Sequence, residues 1–290
     1  MTKKISIEEA AVFWLKDFEG KSAFFESALS EFIYLIRETK MFRDYSIKGL
    51  RKDTNVKKKV LEIGDYLVST KLVDDKQDSY FVIDNDSDEL EILCSLYDVG
   101  YVSYLSAMRF YNFTNRIPKR IDYVAPSRSS WKEIQNEKIS GIHQLKTPYP
   151  SEKLKIKNKH LNVYARSSLY NPKIKGKNIR IIGVGELFLE MIRYPDLCGG
   201  FQHVFEIYED MADALLDEII DTVELYGTAI DKSRIGFIIE SHLGIKDSRI
   251  MNWKKNYTSR GGSRKMISNS PYSDIYSEDW CISLNHSVFK

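Results

Sequence analysis

Residues 179–223 constrain the fold more than any other part of the chain. Ile179, Ile181 and Ile182 form a short β-branched run ended by Gly183 and Gly185, the pattern of a buried strand. Leu187, Phe188, Met191 and Ile192 then recur at helical spacing until Pro195 and the Gly199–Gly200 pair stop them. Phe201, Val204, Phe205, Tyr208, Met211, Leu215, Ile219 and Val223 follow on one stripe at three- and four-residue steps, which predicts one long helix. Strand, helix, turn and long helix in so few residues make the centre of a mixed domain.

Gly183-Val-Gly185 after a strand invites a nucleotide-site reading. The third glycine of the dinucleotide fingerprint is missing, and Glu186 opens the helix, where its carboxylate would repel a pyrophosphate. No Gly-Lys-Ser/Thr of a P-loop occurs. The pair therefore reads as a tight strand-to-helix turn.

The formal net charge of +2 hides strong segregation. Residues 40–59 carry eight Lys/Arg against Asp44 and Asp53, and residues 146–180 carry ten against Glu152 alone. Residues 186–224 reverse the sign, with Arg193 against eleven Asp/Glu, and residues 246–265 carry seven basic residues against Asp247. Most such blocks are solvated faces, but local field decides whether a polyanion is attracted. Three basic blocks in a near-neutral chain point to a nucleic-acid partner.

The N-terminal third predicts where that partner binds. After an amphipathic opening (Ile7, Ala10, Ala11, Phe13, Trp14), residues 24–36 have a wide apolar helical face and Ser46–Leu50 reads as a short second helix. Asp53 or Thr54 can cap a third helix striped by Val56, Val60, Ile63 and Leu67. Residues 66–73 and 79–83, two β-rich runs around a polar turn, predict a hairpin. Three helices and a hairpin outline a winged helix-turn-helix, whose third helix enters the major groove while the wing touches the backbone. Asn55, Lys57, Lys58 and Lys59 at the helix start are then the expected DNA contacts, with Lys48, Arg51, Lys76 and Gln77 on phosphates. The bland alternative is a helical bundle with an exposed lysine cluster.

The acidic stretch 84–91 is the expected boundary, dividing a DNA-binding domain of residues 1–84 from a second domain of residues 96–290. Its acids lack the offsets, glycine and closing glutamate of an EF-hand, so a solvated linker or helix start is expected. In the second domain, residues 100–113 predict a helix and 117–126 a strand. Short antiparallel strands are expected over 139–166, a helical stripe over 230–243 and a basic helix over 247–258. Lys153, Lys155, Lys157 and Lys159 alternate with Leu154, Ile156 and Asn158, which predicts one solvent face of a strand. That ladder either tracks phosphates or protects a sheet edge.

Catalytic patterns are sparse. Gly261-Gly-Ser263 with Asp274 downstream resembles a nucleotidyltransferase turn, but Asp274-Ile-Tyr276 lacks the second carboxylate that would hold two metals. The five histidines make no His-x-x-x-His pair. Cys94, Cys198 and Cys281 are far apart, with no Cys-x-x-Cys, and no apolar run approaches the ~18 residues of a membrane span. The expectation is a reduced, cytoplasmic protein with no metal, cofactor or catalytic set.

Three segments together resemble one family. Tyr101–Pro118 followed by Ile121-Asp-Tyr-Val-Ala-Pro126 is similar to the helix–strand opening of the AbiEi-type antitoxin core. Residues 181–200 resemble its strand, helix and Arg-x-Pro-x-Leu-x-Gly-Gly turn. Ser263-Arg-Lys, Pro271-Tyr and Trp280-x-x-Ser-x-Asn285 resemble its closing segment. The resemblance spans residues 96–285. It departs at the helix before the turn, where Glu186 is followed by Leu187 and Phe188 rather than a Glu-Arg-Thr-like start.

The resemblance implies an antitoxin of a type IV toxin–antitoxin system in abortive phage infection. Such a protein represses its own operon through a winged helix on inverted repeats. It counters a nucleotidyltransferase-like toxin, in many cases without a stable complex, and acts as a monomer or a dimer assembled on DNA. Lys153, Lys155, Lys157, Arg264 and Lys265 are the expected second contact surface, for nucleic acid or toxin. The runner-up is a nucleotidyltransferase- or nuclease-like effector enzyme using Ser263 or Asp274, and a third reading is a pure protein-interaction module.

Overall fold

A computed structural model describes residues 3–138, 147–258 and 264–290. The protein is a mixed α+β chain that divides into two compact units, residues 1–102 with 119–181 and residues 103–118 with 182–290.

In the first unit, β1 (Lys4–Ile5) leads into α1 (Ile7–Leu15), whose start is fixed by a reciprocal Ser6–Glu9 capping box. Then come β2 (Ala23–Phe25), α2 (Glu26–Thr39), β3 (Met41–Phe42), β4 (Tyr45–Ile47) and α3 (Val56–Ser69). β5 (Asp75–Lys76) and β6 (Tyr80–Val82) form a hairpin, and β2 pairs antiparallel with β6, giving the order β2-β6-β5. Leu29, Phe32, Ile33 and Ile36 of α2 share one core with Val60, Ile63 and Leu67 of α3 and with Phe24 and Phe81 of the sheet.

Two expectations here are corrected. Ser46–Leu50 is not a helix: Tyr45–Ile47 is the middle strand of a sheet ordered β1-β4-β3. Ser46 N donates to Lys3 O and Lys48 N to Ile5 O. Five residues are too few to nucleate a stable helix, whereas strands on both sides satisfy this backbone. Residues 66–69 are not strand either. The apolar stripe carries α3 on to Ser69, and the Thr70 hydroxyl closes it by donating to Tyr66 O at 2.7 Å. The cap of α3 is Asn55, whose Oδ1 accepts from Lys58 N at 3.1 Å.

α4 (Glu89–Leu96), capped by Asp88, buries Ile92, Leu93 and Cys94. β7 (Tyr101–Val102) follows, then α5 (Tyr104–Phe110) of the second unit, shorter than the helix expected from residue 100. β8 (Arg120–Pro126) occupies the strand expected there. α6 (Arg128–Lys138), β9 (Lys155–Ile156), β10 (Lys159–Arg166), β11 (Lys173–Lys175) and β12 (Ile179–Ile181) complete the first unit. The six-stranded sheet is ordered β11-β12-β7-β8-β10-β9, with β8 and β10 parallel over seven residue pairs. Residues 139–146, where short strands were expected, lie outside the described residues.

The stretch 84–91 takes the second of its two expected forms, a helix start, with Asp88 capping α4, and it lies inside the first unit. Lysines of the sheet region pair with two of its acids: Lys177 Nζ lies 2.7 Å from Asp84 and Lys159 Nζ 2.6 Å from Glu89. The Lys177 amine is shifted up and the Asp84 carboxyl down, each by its hydrogen bond to the other.

The second unit begins with α5 and continues in α7 (Val184–Arg193), α8 (Phe201–Met211), α9 (Leu216–Tyr226), α10 (Ala229–Gly236) and α11 (Ser248–Tyr257). The single long helix expected from Phe201 to Val223 is two helices. The stripe's period survives the break, but α9 buries Ile219, Ile220, Thr222 and Val223, a wider face than the stripe extrapolates. Periodicity does not sense the turn at residues 212–215 that parts the two helices. Residues 237–242 continue α10 as a π-helical turn. The short strands β13 (Arg264–Lys265), β14 (Tyr276–Ser277) and β15 (Ile282–Ser283) form a closing sheet ordered β13-β15-β14. Among the described residues, no helix is long and apolar enough to cross a membrane.

Candidate nucleic-acid interface

α3 brings the expected DNA contacts to one helix start. Lys57 and Lys58 are exposed on its first turn, Lys58 with 78% of its side chain in solvent. Lys59 turns aside to Glu62 at 2.5 Å, whose carboxyl is lowered chiefly by that hydrogen bond. Asn55 spends its side-chain oxygen on the cap. No acidic residue stands in this first turn; exposed Lys57, and Lys58 with Glu62 4.0 Å away, stand at the positive end of the helix dipole, an arrangement that favours a bound anion.

The outlying expected contacts differ among themselves. Lys48 and Arg51 are exposed on the segment leading to α3. On the hairpin, Lys76 Nζ sits 5.5 Å from the Phe81 ring centroid and 4.0 Å from Glu26, and Gln77 Nε2 donates to Asp75 Oδ2 at 2.5 Å. These two side chains hold the hairpin's own geometry.

The lysine ladder is corrected. Lys155 belongs to β9 and Lys159 to β10, with Lys157 at φ 49° in the turn between them, so the alternation crosses a hairpin rather than lining one strand. Lys157 Nζ donates to Asn85 O at 3.1 Å. Lys153 and Lys155 are exposed. Arg180, counted in the same basic block, turns inward to donate to the carbonyls of Cys94 and Gly100, both at 3.1 Å.

Arg264 and Lys265 also serve the fold. Arg264 donates to Ser233 Oγ at 2.6 Å and Tyr257 O at 2.8 Å, and Lys265 donates to Ser270 O at 2.9 Å. Gly261-Gly-Ser263 lies outside the described residues, and Asp274 is exposed. Among the described residues, no group of three or more His, Cys, Asp or Glu could hold a metal ion.

The motif residues of the core have structural jobs. A Cβ on Gly185 would collide with Glu218 O and Thr222 Oγ1, so this glycine lets α7 and α9 approach closely. Gly199 and Gly200, at φ 92° and 95°, reverse the chain after the 3₁₀ turn Pro195–Cys198. Trp280 is fully buried and donates to Glu240 Oε2 at 3.0 Å. Asn285 bonds Ile267 N and O, each at 2.9 Å, and clamps the following turn.

Sequence reasoning missed one concavity in the first unit, a cleft of roughly 440 Å³ whose walls include Phe25, Tyr97, Pro148 and Tyr149. Its residues are too far apart in sequence to make a motif.

No known protein family and no curated protein matches the chain, so nothing places it in an enzyme family. Among solved structures, the RV2827C protein from Mycobacterium tuberculosis is similar over 87% of this chain and 89% of its own, with a TM-score of 0.47 and 12% sequence identity.

Proposed function

We propose that the chain is a cytoplasmic DNA-binding antitoxin that represses its own operon through a winged helix-turn-helix in residues 1–84. The observation that carries this reading is the start of α3: exposed Lys57 and Lys58 at the positive end of a helix with no acidic residue in its first turn. That end suits phosphates, and the exposed face behind it suits the major groove. The sheet order β2-β6-β5, with the β5–β6 hairpin directly after α3, supports a wing beside that helix.

The resemblance of residues 96–285 to the AbiEi-type core extends the reading to a toxin partner, a nucleotidyltransferase-like protein countered during phage defence. The test is a fluorescence-anisotropy titration of the chain on its own promoter duplex across a salt series. Charge reversal at Lys57 and Lys58 is expected to weaken binding and flatten its salt dependence. Unchanged promoter binding by that variant refutes the α3 assignment. Co-expression with a neighbouring nucleotidyltransferase-like reading frame, with growth as the readout, tests the antitoxin role separately.

A further inference from the structure

The cleft in the first unit is walled by aromatic rings with one lysine among its lining residues. Tyr97 is 1% exposed, with its ring 5.2 Å from Phe25 and 6.0 Å from Trp131. Burial pushes its phenol well above the ordinary tyrosine range. By contrast, Tyr123 and Tyr149 donate to Val99 O at 2.7 Å and Pro126 O at 2.9 Å. The Tyr97 hydroxyl has no such partner among the described residues, yet its oxygen is not one of the sealed, unpaired polar atoms. Since Tyr97 lines the cleft, its hydroxyl opens there rather than into the core. A hydroxyl facing the cleft is placed to donate to an acceptor atom of an occupant.

The rest of the wall sets the ligand's chemistry. Phe25 and Tyr149 supply aromatic surface, and Lys153 is the one charged residue among those lining the cleft. Neighbouring Glu152 is turned to Arg120 at 3.7 Å, which leaves the lysine for an anion. Ser27 and Ser79 add hydroxyls at the wall. The volume is that of a site for a small organic molecule, apolar with a few convergent polar groups.

We propose that this cleft binds a small aromatic anion, its ring against Phe25, Tyr97 and Tyr149, its charge on Lys153, and an acceptor atom on the Tyr97 hydroxyl. The proposal does not rest on the DNA-binding reading. Phe25 lies on β2 and Ser79 in the hairpin turn, so an occupant braces the β2–β6 pairing.

The test is a fluorescence titration of the full chain with 8-anilinonaphthalene-1-sulfonate, beside its uncharged analogue N-phenyl-1-naphthylamine. Saturable binding of one sulfonate probe per chain is expected. Lys153→Glu should weaken the sulfonate about tenfold or more by removing a charge-assisted contact, while leaving the uncharged probe unaffected. Tyr97→Phe should weaken the sulfonate with no loss of thermal stability, because no internal hydrogen bond is given up. Ser27→Trp should exclude both probes. Non-saturable binding, sulfonate affinity indifferent to Lys153→Glu, or binding that survives Ser27→Trp would overturn the proposal. A thermal destabilisation by Tyr97→Phe would do the same, since it would reveal a structural partner for the hydroxyl.

Discussion

Arg193 donates through both Nε and Nη2 to a single oxygen, Oδ2, of Asp231, at 3.2 and 2.8 Å. The same oxygen accepts from the Thr228 backbone and hydroxyl in the capping box of α10, and Arg193 Nη2 also reaches Tyr226 O at 2.8 Å. One ion pair thus ties the end of α7 to the end of α9 and the start of α10. The Asp231 side chain is only 3% exposed. Replacing Arg193 with alanine leaves that buried carboxylate without its ion-pair partner, held only by Thr228, so a loss toward the lower end of about 3–5 kcal/mol is expected. Urea denaturation of the full chain measures it.

The same pair gives the fold an acid-sensitive element. Burial disfavours the charged form of Asp231, but the Arg193 and Thr228 hydrogen bonds outweigh it and hold the carboxyl below its ordinary value. A depressed folded-state pKa contributes stability above the unfolded carboxylate range, which drains as pH falls through the lower, folded value. Stability of the native chain should therefore decline on acidification below the usual aspartate range. Asp231→Asn should be less stable at neutral pH and show a shallower acid decline. An identical acid slope in the two proteins would remove Asp231 from the account.

Asn55 separates capping from DNA contact. Asn55→Ala removes the bond to Lys58 N and is expected to cost about 1 kcal/mol. Asn55→Asp keeps an acceptor and adds charge that suits the helix dipole, so thermal stability should be retained. On the proposed function, the same carboxylate repels phosphate, and affinity for the promoter duplex should fall. Thermal melts and anisotropy on the same two variants distinguish these effects, and Asn55→Asp binding as tightly as the parent would argue against phosphate at this helix start.

What was legible in the sequence follows from how far each pattern runs. The stripe Val56, Val60, Ile63, Leu67 spans three turns, and α3 appeared where it predicted. Ser46–Leu50 was too short for periodicity to tell helix from strand, and its pairing with Lys4–Ile5 depends on residues forty positions away. The lysine alternation over 153–159 was real, but a turn at Lys157 split it. Charge blocks overstated the free field because Lys159, Lys177 and Arg180 are spent inside the first unit. The cleft was invisible because Phe25, Ser79, Tyr97 and Tyr149 meet only through tertiary packing.

Gly185 tests the reinterpretation of Gly183-Val-Gly185. If its role is close helix approach, Gly185→Ala forces backbone of α9 away from α7, and overpacking of this kind costs about 1–3 kcal/mol. The variant should unfold at lower urea and bind promoter DNA normally once folded. A phosphate-loop role would instead leave stability nearly unchanged, since alanine is the better helix former.

Leu61 is 44% exposed, one turn beyond Lys57 and Lys58 on the face of α3 that the proposed function turns toward DNA. An apolar side chain there cannot hydrogen-bond a base edge, but it can cover the 5-methyl group of thymine. Selection from a randomised duplex pool should yield a thymine under this residue. Replacing that thymine by deoxyuridine should weaken the parent protein by about 0.8 kcal/mol, the value of one buried methylene. Leu61→Ala should bind both duplexes alike while keeping its salt dependence, because its phosphate contacts are untouched. A parent protein indifferent to the methyl group would place Leu61 outside the base-reading set while leaving the lysine contacts standing.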